Sequence, residues 1–568
     1  MIKSNHMKII TAMCFTIAVI VCGIYTLHFG IPLVDESYFI SISYRFALGG
    51  HPFINEYVLS QLASFFPTPF LKYFLFKHGS SDGIVLFSRY IYFCFTILFA
   101  STMVLITKKI MDLRAAILFS LLCVAFVFCN MYALNYNTQA IMFATLGYFL
   151  GILAVLKFNA QERYVNLMIF LAGLSHAEMV VSYPTLFLVP LLFLFGLMYF
   201  LPKQKTLIFY GAGLFIGGIW LLPILIHTRW YNLYHIDWPY TKTIHMVTTF
   251  QKLASWVTKK HWIYIVILLL LLLLSLFFLT LFIYRARENK KIKLILPYVG
   301  PIFLLTLLVP AALSVKNWNS AAVILISSVA MLAPLLYFLV RNENPNLVRQ
   351  LFILVWTPSV FAGIITTFSS DDAIWSSPVG LFSAALVSLF YMMLLGNKKS
   401  VSHIETHKYP INFSFVALLP LMLLIIILQY YDLKFTFQDL PISLLHSKVE
   451  IGPFKGLYTT EESKIYYTQL TRDIKSISEP SKTVLYENFC PGPLFSTMHT
   501  IQTGDRLFAI KHHVILNANT QNPTLIVRIL SLPVSGPNTE VTPFSDDFLT
   551  KKYRVLIRKK GYEIFERI

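Results

Sequence analysis

The strongest constraint in this sequence is a run of twenty-three residues, 262–284, without one charged side chain. About 20 apolar residues in helical form cross the hydrocarbon core of a bilayer. The same reading places spans near 9–29, 84–107, 115–129, 138–156, 164–176, 179–201, 207–226, 262–284, 294–313, 320–340, 350–367, 378–396 and 410–430, thirteen in all. The run at 164–176 is short for an unaided crossing. It is expected to tilt, to break, or to form a re-entrant pair with 179–201 around Ser175, His176 and Glu178. Of the 568 residues 57% are hydrophobic and 13% charged, where a soluble domain carries roughly 25% charged residues. Such a chain cannot cover itself with polar surface, which excludes soluble, disordered and collagen-like classes. The fold class expected is a polytopic α-helical membrane protein of about 13 transmembrane helices.

The net charge of +19 is carried by residues that punctuate the apolar runs, so it speaks of membrane topology and excludes a nucleic-acid partner. One set of short loops holds seventeen Lys and Arg, among them Lys108, Lys109, Arg114, Lys157, Arg163 and the cluster from Arg285 to Lys293. The alternating short loops hold Lys316 alone. The basic set is therefore expected in the cytoplasm. The first run follows Lys3 and Lys8 and lacks a small-residue cleavage site, so it reads as a retained anchor with a cytoplasmic N-terminus. Thirteen crossings then put residues 431–568 outside, with the outer loops 30–83 and 227–261. The expected location is the inner membrane of a bacterium.

The text after residue 430 is polar and rich in turns. Thr459 and Glu462 have the spacing of a capping box opening a helix to about Ser476, 483–489 reads as a strand, and 555–565 reads as a hairpin around Lys559, Lys560 and Gly561. A small extracytoplasmic α+β domain is expected over 431–568, beside a transmembrane module over 1–430. Five of the six cysteines lie in or beside apolar runs, so no disulfide framework is expected.

Asp35 and Glu36 follow the first span directly. Two carboxylates at a low-dielectric boundary cost free energy unless something pairs or uses them. The next residues, 38–48, are aromatic and aliphatic around Arg45 and end at Gly49-Gly50-His51-Pro52-Phe53, after which Glu56 brings a further acid. That stretch is too short to cross and reads as a helix lying along the membrane surface, holding the acids where a lipid-borne donor meets a water-soluble acceptor.

These features resemble the GT-C class of integral-membrane glycosyltransferases, in particular protein O-mannosyltransferases and the lipid A aminoarabinose transferases. The likeness rests on the Asp35-Glu36 pair opening the first outer loop, the Gly-Gly-His-Pro-Phe-Ile-Asn-Glu turn, Arg89 entering the second span, the span count and the outer tail. In motif it covers 30 to about 95. It implies that Asp35 is the general base taking a proton from an acceptor hydroxyl or amine, with Glu36 sharing the catalytic position. The reaction implied is an inverting displacement in which a polyprenyl phosphate leaves. A cation must receive that anion, and Arg45, Lys72, Arg89 and Lys242 are the outer-side choices; Arg89 matches the family's arginine at the outer end of the second span, for which the resemblance leaves two roles open, binding the phosphate or pairing with the acidic loop. His51 and Glu56, and His176 and Glu178 at the outer turn, are further substrate-binding candidates. The loop at 230–240 interleaves aromatics with polar groups, as sugar stacking or an interfacial belt requires.

No Asp-x-Asp, no phosphate-cradling Gly-x-x-x-x-Gly-Lys-Ser/Thr and no His-Glu-x-x-His or Cys-x-x-Cys is present, which favours a lipid-phosphate donor and demands no metal. Asp35, Glu36 and Glu56 offer a divalent metal possible ligands. Gly211, Gly213 and Gly217 have the spacing of helix packing inside a span. Two other classes remain open: a transporter, which would show charged or broken spans at matching places in two halves, and an O-antigen ligase or polymerase, which would use Arg229, His235 and His245 of the later outer loop.

Overall fold

The computed structural model describes residues 2–33, 35–50, 52, 59–222, 226, 325–370, 376–397, 411–436, 439–477, 479, 482–487, 491–496, 499–501, 523–531, 549 and 551–568. The spans expected at 262–284 and 294–313 and the loop 227–261 lie outside these residues.

Among the described residues six helices are long and apolar enough to cross a membrane: Ile84–Thr107 (α4), Tyr136–Asn159 (α6), Val165–Ser182 (α7), Pro345–Ser369 (α11), Ser377–Gly396 (α12) and Phe415–Lys434 (α13). Around them stand Ile2–Thr26 (α1), Leu113–Ala125 (α5), Val189–Phe200 (α8), Lys203–Ile219 (α9) and the apolar helix Leu325–Val340 (α10). The chain is a polytopic helical membrane protein. Its inner helix is α12, whose residues from Ser377 to Leu394 are buried throughout. A helix apolar on every face belongs inside the bundle.

Two expectations about the spans are corrected. The run expected at 164–176 is part of an unbroken helix from Val165 to Ser182, so neither the break nor the re-entrant turn around Ser175, His176 and Glu178 is there, and the break falls at Tyr183 and Pro184. Proline has no N–H to continue a helix and drives the residue before it out of the helical region; Tyr183 sits at φ −132°, ψ 82°. The second correction concerns the run at 115–129. Helix α5 stops at Ala125, and residues 126–135 continue as buried, largely non-helical chain. Cys129 and Asn130 are both left-handed, at φ 54°, a conformation costing roughly 1–2 kcal/mol per residue. The Asn130 side-chain amide donates to the Phe435 carbonyl at 2.8 Å, which fixes the turn.

Glycines bring α7 and α9 together. A Cβ on Gly213 would stand 2.1 Å from the Phe170 carbonyl oxygen, and one on Gly173 would stand 2.3 Å from that of Tyr210. The small-residue spacing in 211–217 thus serves close helix packing.

The bundle has two chemically distinct ends. At one, Asp112 caps α5 and also accepts from Phe413 N–H at 2.8 Å, beside Lys108, Lys109 and Arg114. At the other lie the end of α1, the start of α4, the 126–135 segment and the tail. There Asp35–Ala47 (α2) and Thr68–His78 (α3) pack over the helix ends. Helix α2 closes in a Schellman motif, with Gly50 N–H on Arg45 O at 2.9 Å and Gly49 N–H on Phe46 O at 3.1 Å. Gly49, at φ +95°, supplies the left-handed residue the motif needs.

In the tail, Glu461–Ile477 (α14) packs on a five-stranded sheet. The strands are Thr483–Glu487 (β3), His499–Ile501 (β4), Leu525–Ile529 (β5), Tyr553–Arg558 (β6) and Tyr562–Arg567 (β7), in the order β4-β3-β5-β7-β6. The first three are mutually parallel and the terminal hairpin is antiparallel. A separate pair, Ser447–Lys448 (β1) and Tyr458–Thr459 (β2), precedes them. The cap of α14 is Thr460, whose hydroxyl accepts from Ser463 N–H at 3.2 Å, in place of the expected Thr459 and Glu462. The tail does not hang free. Ile31, Leu33, Ile40, Tyr44, Ile84 and Val85 share one hydrophobic core with Phe454, Tyr467, Leu470 and Val527. Tail carbonyls also accept from the start of α4, Gly452 O from Gly83 N–H and Pro453 O from Val85 N–H.

Candidate functional site

The acid pair opens α2, where negative charge suits the helix dipole. Their environments separate them. Glu36 is 0% exposed and Arg89 2% exposed, and Arg89 Nε donates to Glu36 Oε1 at 2.6 Å. The rest of the guanidinium is committed as well: Nη1 donates to the carbonyls of Leu27 and Phe29 at 2.8 and 2.9 Å, and Nη2 to Gly30 O at 3.0 Å and Glu36 Oε2 at 3.4 Å. Five contacts match the five N–H groups that an arginine has. Glu36 Oε2 is also approached by Tyr132 N–H at 3.4 Å. This leaves Arg89 no donor for a phosphate and Glu36 no open face: of the two roles left open for Arg89 the pairing with the acidic loop is the one present, and the catalytic role expected of Glu36 is contradicted. The burial itself forces the pairing, since an ion this deep must be matched.

Asp35, one residue earlier, keeps part of its surface open. It shares a helical row with Phe39 and Ser43. Those two, with Ile40, Pro67, Phe70, Leu71, Ser88, Ile91, Ala133 and Leu134, line a small, mostly apolar pocket. A second apolar pocket lies between Tyr92, Phe99, Cys123, Phe126, Phe128, Met142 and Phe382. The non-helical segment 126–135 contributes walls to both.

Helix α2, expected to lie along the membrane surface, is covered by protein. Every residue from Glu36 to Phe46 is buried, because the tail covers the face that an interfacial helix would turn to water. Burial pushes the Tyr44 phenol up to about 12, with a Ser81 hydrogen bond opposing the shift. The neutral hydroxyl donates to Ser496 O at 3.1 Å.

The other candidates scatter. Arg45 is buried in the last turn of α2, and Lys72 is exposed on α3. His51, Glu56 and Lys242 lie outside the described residues. His176 is a packed residue of the α7 interior, not a turn residue: it is 0% exposed, its Nδ1 meets the Tyr210 hydroxyl at 2.6 Å, and Tyr148 and Phe193 close over its ring. Glu178 is half-buried and accepts from Trp220 Nε1–H at 3.0 Å. Trp220 packs on Phe65, which stacks on Phe46 of α2, so Glu178 reaches the α2 neighbourhood only through aromatic rings.

Among the described residues no three His, Cys, Asp or Glu side chains converge as metal ligands. Of the acids the sequence offered for a metal, Glu36 is committed to Arg89.

Three residues escaped the sequence reading. Tyr132 and Asn130 sit in what read as a short outer loop, without any motif. Asp439 was detectable by the rule that found Asp35, being an acid just past a span. Its Oδ2 accepts from Ile31 N–H at 2.9 Å and from the Thr459 hydroxyl at 3.0 Å, and its Oδ1 accepts from Leu440 N–H at 2.8 Å. Burial raises its carboxyl above the usual range, against these hydrogen bonds and the nearby Arg89.

No family model matches the sequence, and no curated protein matches it significantly. Solved structures align with it at low identity. A structure titled as the archaeal oligosaccharyltransferase AglB from Archaeoglobus fulgidus, with an inhibitory peptide and a dolichol-phosphate, aligns over 92% of this chain and 69% of that one, at 11% identity and a TM-score of 0.44. A second structure of the Archaeoglobus fulgidus oligosaccharyltransferase, with Zn and sulfate, aligns over 91% and 68%, at 11% identity and a TM-score of 0.47. ArnT from Cupriavidus metallidurans, bound to undecaprenyl phosphate, aligns over 98% of both chains at 9% identity and a TM-score of 0.38. At this distance the roles of individual residues stand on this chain's own geometry.

Proposed function

We propose that the chain is an integral-membrane glycosyltransferase of the GT-C kind, moving a sugar from a polyprenyl-phosphate donor to a glycan, lipid or protein acceptor on the extracytoplasmic side. The observation that carries the reading is the division of labour in the acid pair. Glu36 is withdrawn into the Arg89 clamp, while Asp35 stays accessible at the head of the same helix. The bundle end bearing Asp35 is opposite the end bearing Lys108, Lys109 and Arg114, and the positive-inside rule makes that basic end cytoplasmic.

In this reading Asp35 accepts the proton of the acceptor hydroxyl or amine. The freed lone pair forms the new bond to the anomeric carbon as the bond from that carbon to the phosphate oxygen breaks. The electrons of the broken bond leave with the phosphate, and the carbon inverts. Positioned base catalysis of this kind contributes about 10²–10⁴-fold in rate. We assign the lipid of the donor to the apolar surface around Phe39 and Leu71, and Lys72 and Arg45 are the described candidate cations on this side of the bundle. Glu36 and Arg89 hold the loop. Residues 431–568 form the outer domain that encloses α2.

The test is an Asp35→Asn variant in a host lacking its own copy, read as the envelope glycan profile. Loss of the modified glycan at normal protein level is expected. An unchanged profile at that level removes Asp35 from the base position.

A further inference from the structure

The backbone that delivers Asp35 is held by the far end of the chain. Phe29 pairs with Tyr458 as an isolated parallel bridge: Gly30 N–H donates to Tyr458 O at 3.0 Å, and Tyr458 N–H donates to His28 O at 2.7 Å. The two rings stack with centroids 5.4 Å apart. Asp439 closes the arrangement by accepting from Ile31 N–H, four residues ahead of Asp35, and from Thr459 of the same tail strand. At the other end of α2 the Tyr44 hydroxyl reaches Ser496 O. The tail therefore grips the acid-bearing helix before its start and near its finish.

We propose that Asp439 is a positioning residue for sugar transfer: it joins the exit of the last long helix, the tail strand β2 and the segment 28–31, so that the tail sets where Asp35 stands. The proposal rests on the reading of Asp35 as the base. Ile31 is 2% exposed, so without Asp439 its N–H loses its acceptor in a place water does not readily reach. The carboxylate suits the task because it meets three donors and, when ionised, is an acceptor only. A misplacement of about 1 Å at a reacting group costs on the order of 10²-fold in rate, so loss of this anchor is felt at Asp35 without any contact between the two side chains.

The experiment compares full-length variants in a host lacking its own copy. It reads the rate at which the envelope glycan is modified per molecule of folded membrane protein, and hydrogen exchange of the purified chain over 28–47. Asp439→Ala is expected to slow transfer about 10- to 100-fold and to raise exchange over 28–33. Asp439→Asn, whose amide oxygen still accepts from Ile31 N–H, is expected to recover the rate to within about tenfold of wild type. Lys475→Ala breaks a different tail anchor, the 2.8 Å bond to Asp82, and is expected to leave the rate unchanged. If the alanine variant does not accumulate, Asp439→Ser, too short to reach Ile31 N–H, takes its place, and wild-type rate and exchange in it overturn the proposal. An inactive Asp35→Asn beside an Asp439→Ala at wild-type rate overturns the positioning role alone and leaves the base assignment standing. Equal losses in Asp439→Ala and Lys475→Ala also overturn it, since tail docking in general would then be responsible. An active Asp35→Asn overturns both readings.

Discussion

Two neighbouring carboxylates in this chain have opposite fates, and the difference is one of partners. Glu36 sits where Arg89 can offer it a side-on pair at 2.6 Å while the same guanidinium holds three backbone carbonyls of 27–30. Removing one partner leaves a buried charge uncompensated, which costs about 3–5 kcal/mol. Arg89→Ala and Glu36→Ala should therefore each lower the thermal midpoint of the purified protein sharply. The double variant should lose less than the sum of the two, because neither ion is left behind; additive losses would show that the pair does not act as a unit. Asp35→Asn should leave the same midpoint almost unchanged, as expected of a side chain with part of its surface open.

At the scale of elements, the helices were legible where apolar runs are long and bounded by clear signals, and the irregular segments were not. The run at 84–107 coincides with α4 because Gly83 and Lys108 bracket it. The end of α5 was invisible because Phe126, Val127 and Phe128 are as apolar as the helix before them; the chain leaves the helix at Phe126, and the turn beyond it is held by the left-handed pair Cys129 and Asn130 and the reach of Asn130 to Phe435, a contact 305 residues away in sequence. The acid pair was legible as a candidate site, but its split was not, since the guanidinium that decides it comes from another helix. Glycine spacing in α9 was read as packing and does pack. Gly213→Val should cost about 3 kcal/mol, as over-packing does, because a Cβ there meets the Phe170 carbonyl, whereas Gly211→Ala, which faces open space, should cost nothing or stabilise slightly. Thermal unfolding in detergent separates these outcomes, and equal behaviour of the two would mean that α7 and α9 are not in close contact.

At the scale of the whole molecule, the tail and the bundle end share a core, so the segment 28–47 depends on residues that come four hundred positions later. A chain ending at 436 should lose the Tyr458, Asp439 and Ser496 anchors together. Its 28–47 segment should become open to protease added on the outer side, and native protection in that shortened chain would show that the tail is dispensable for the loop. The central claim is that the accessible acid removes the acceptor's proton while the buried one only holds the loop. Its most direct test is the initial rate of glycan transfer per folded molecule for Asp35→Asn and Glu36→Gln, measured side by side with the wild type. The account predicts a fall of about 10²–10⁴-fold for Asp35→Asn at normal folded yield, and for Glu36→Gln a loss of folded yield with the rate per molecule largely kept. An Asp35→Asn rate within threefold of about the wild-type value, or a Glu36→Gln protein that folds fully yet transfers nothing, would contradict it.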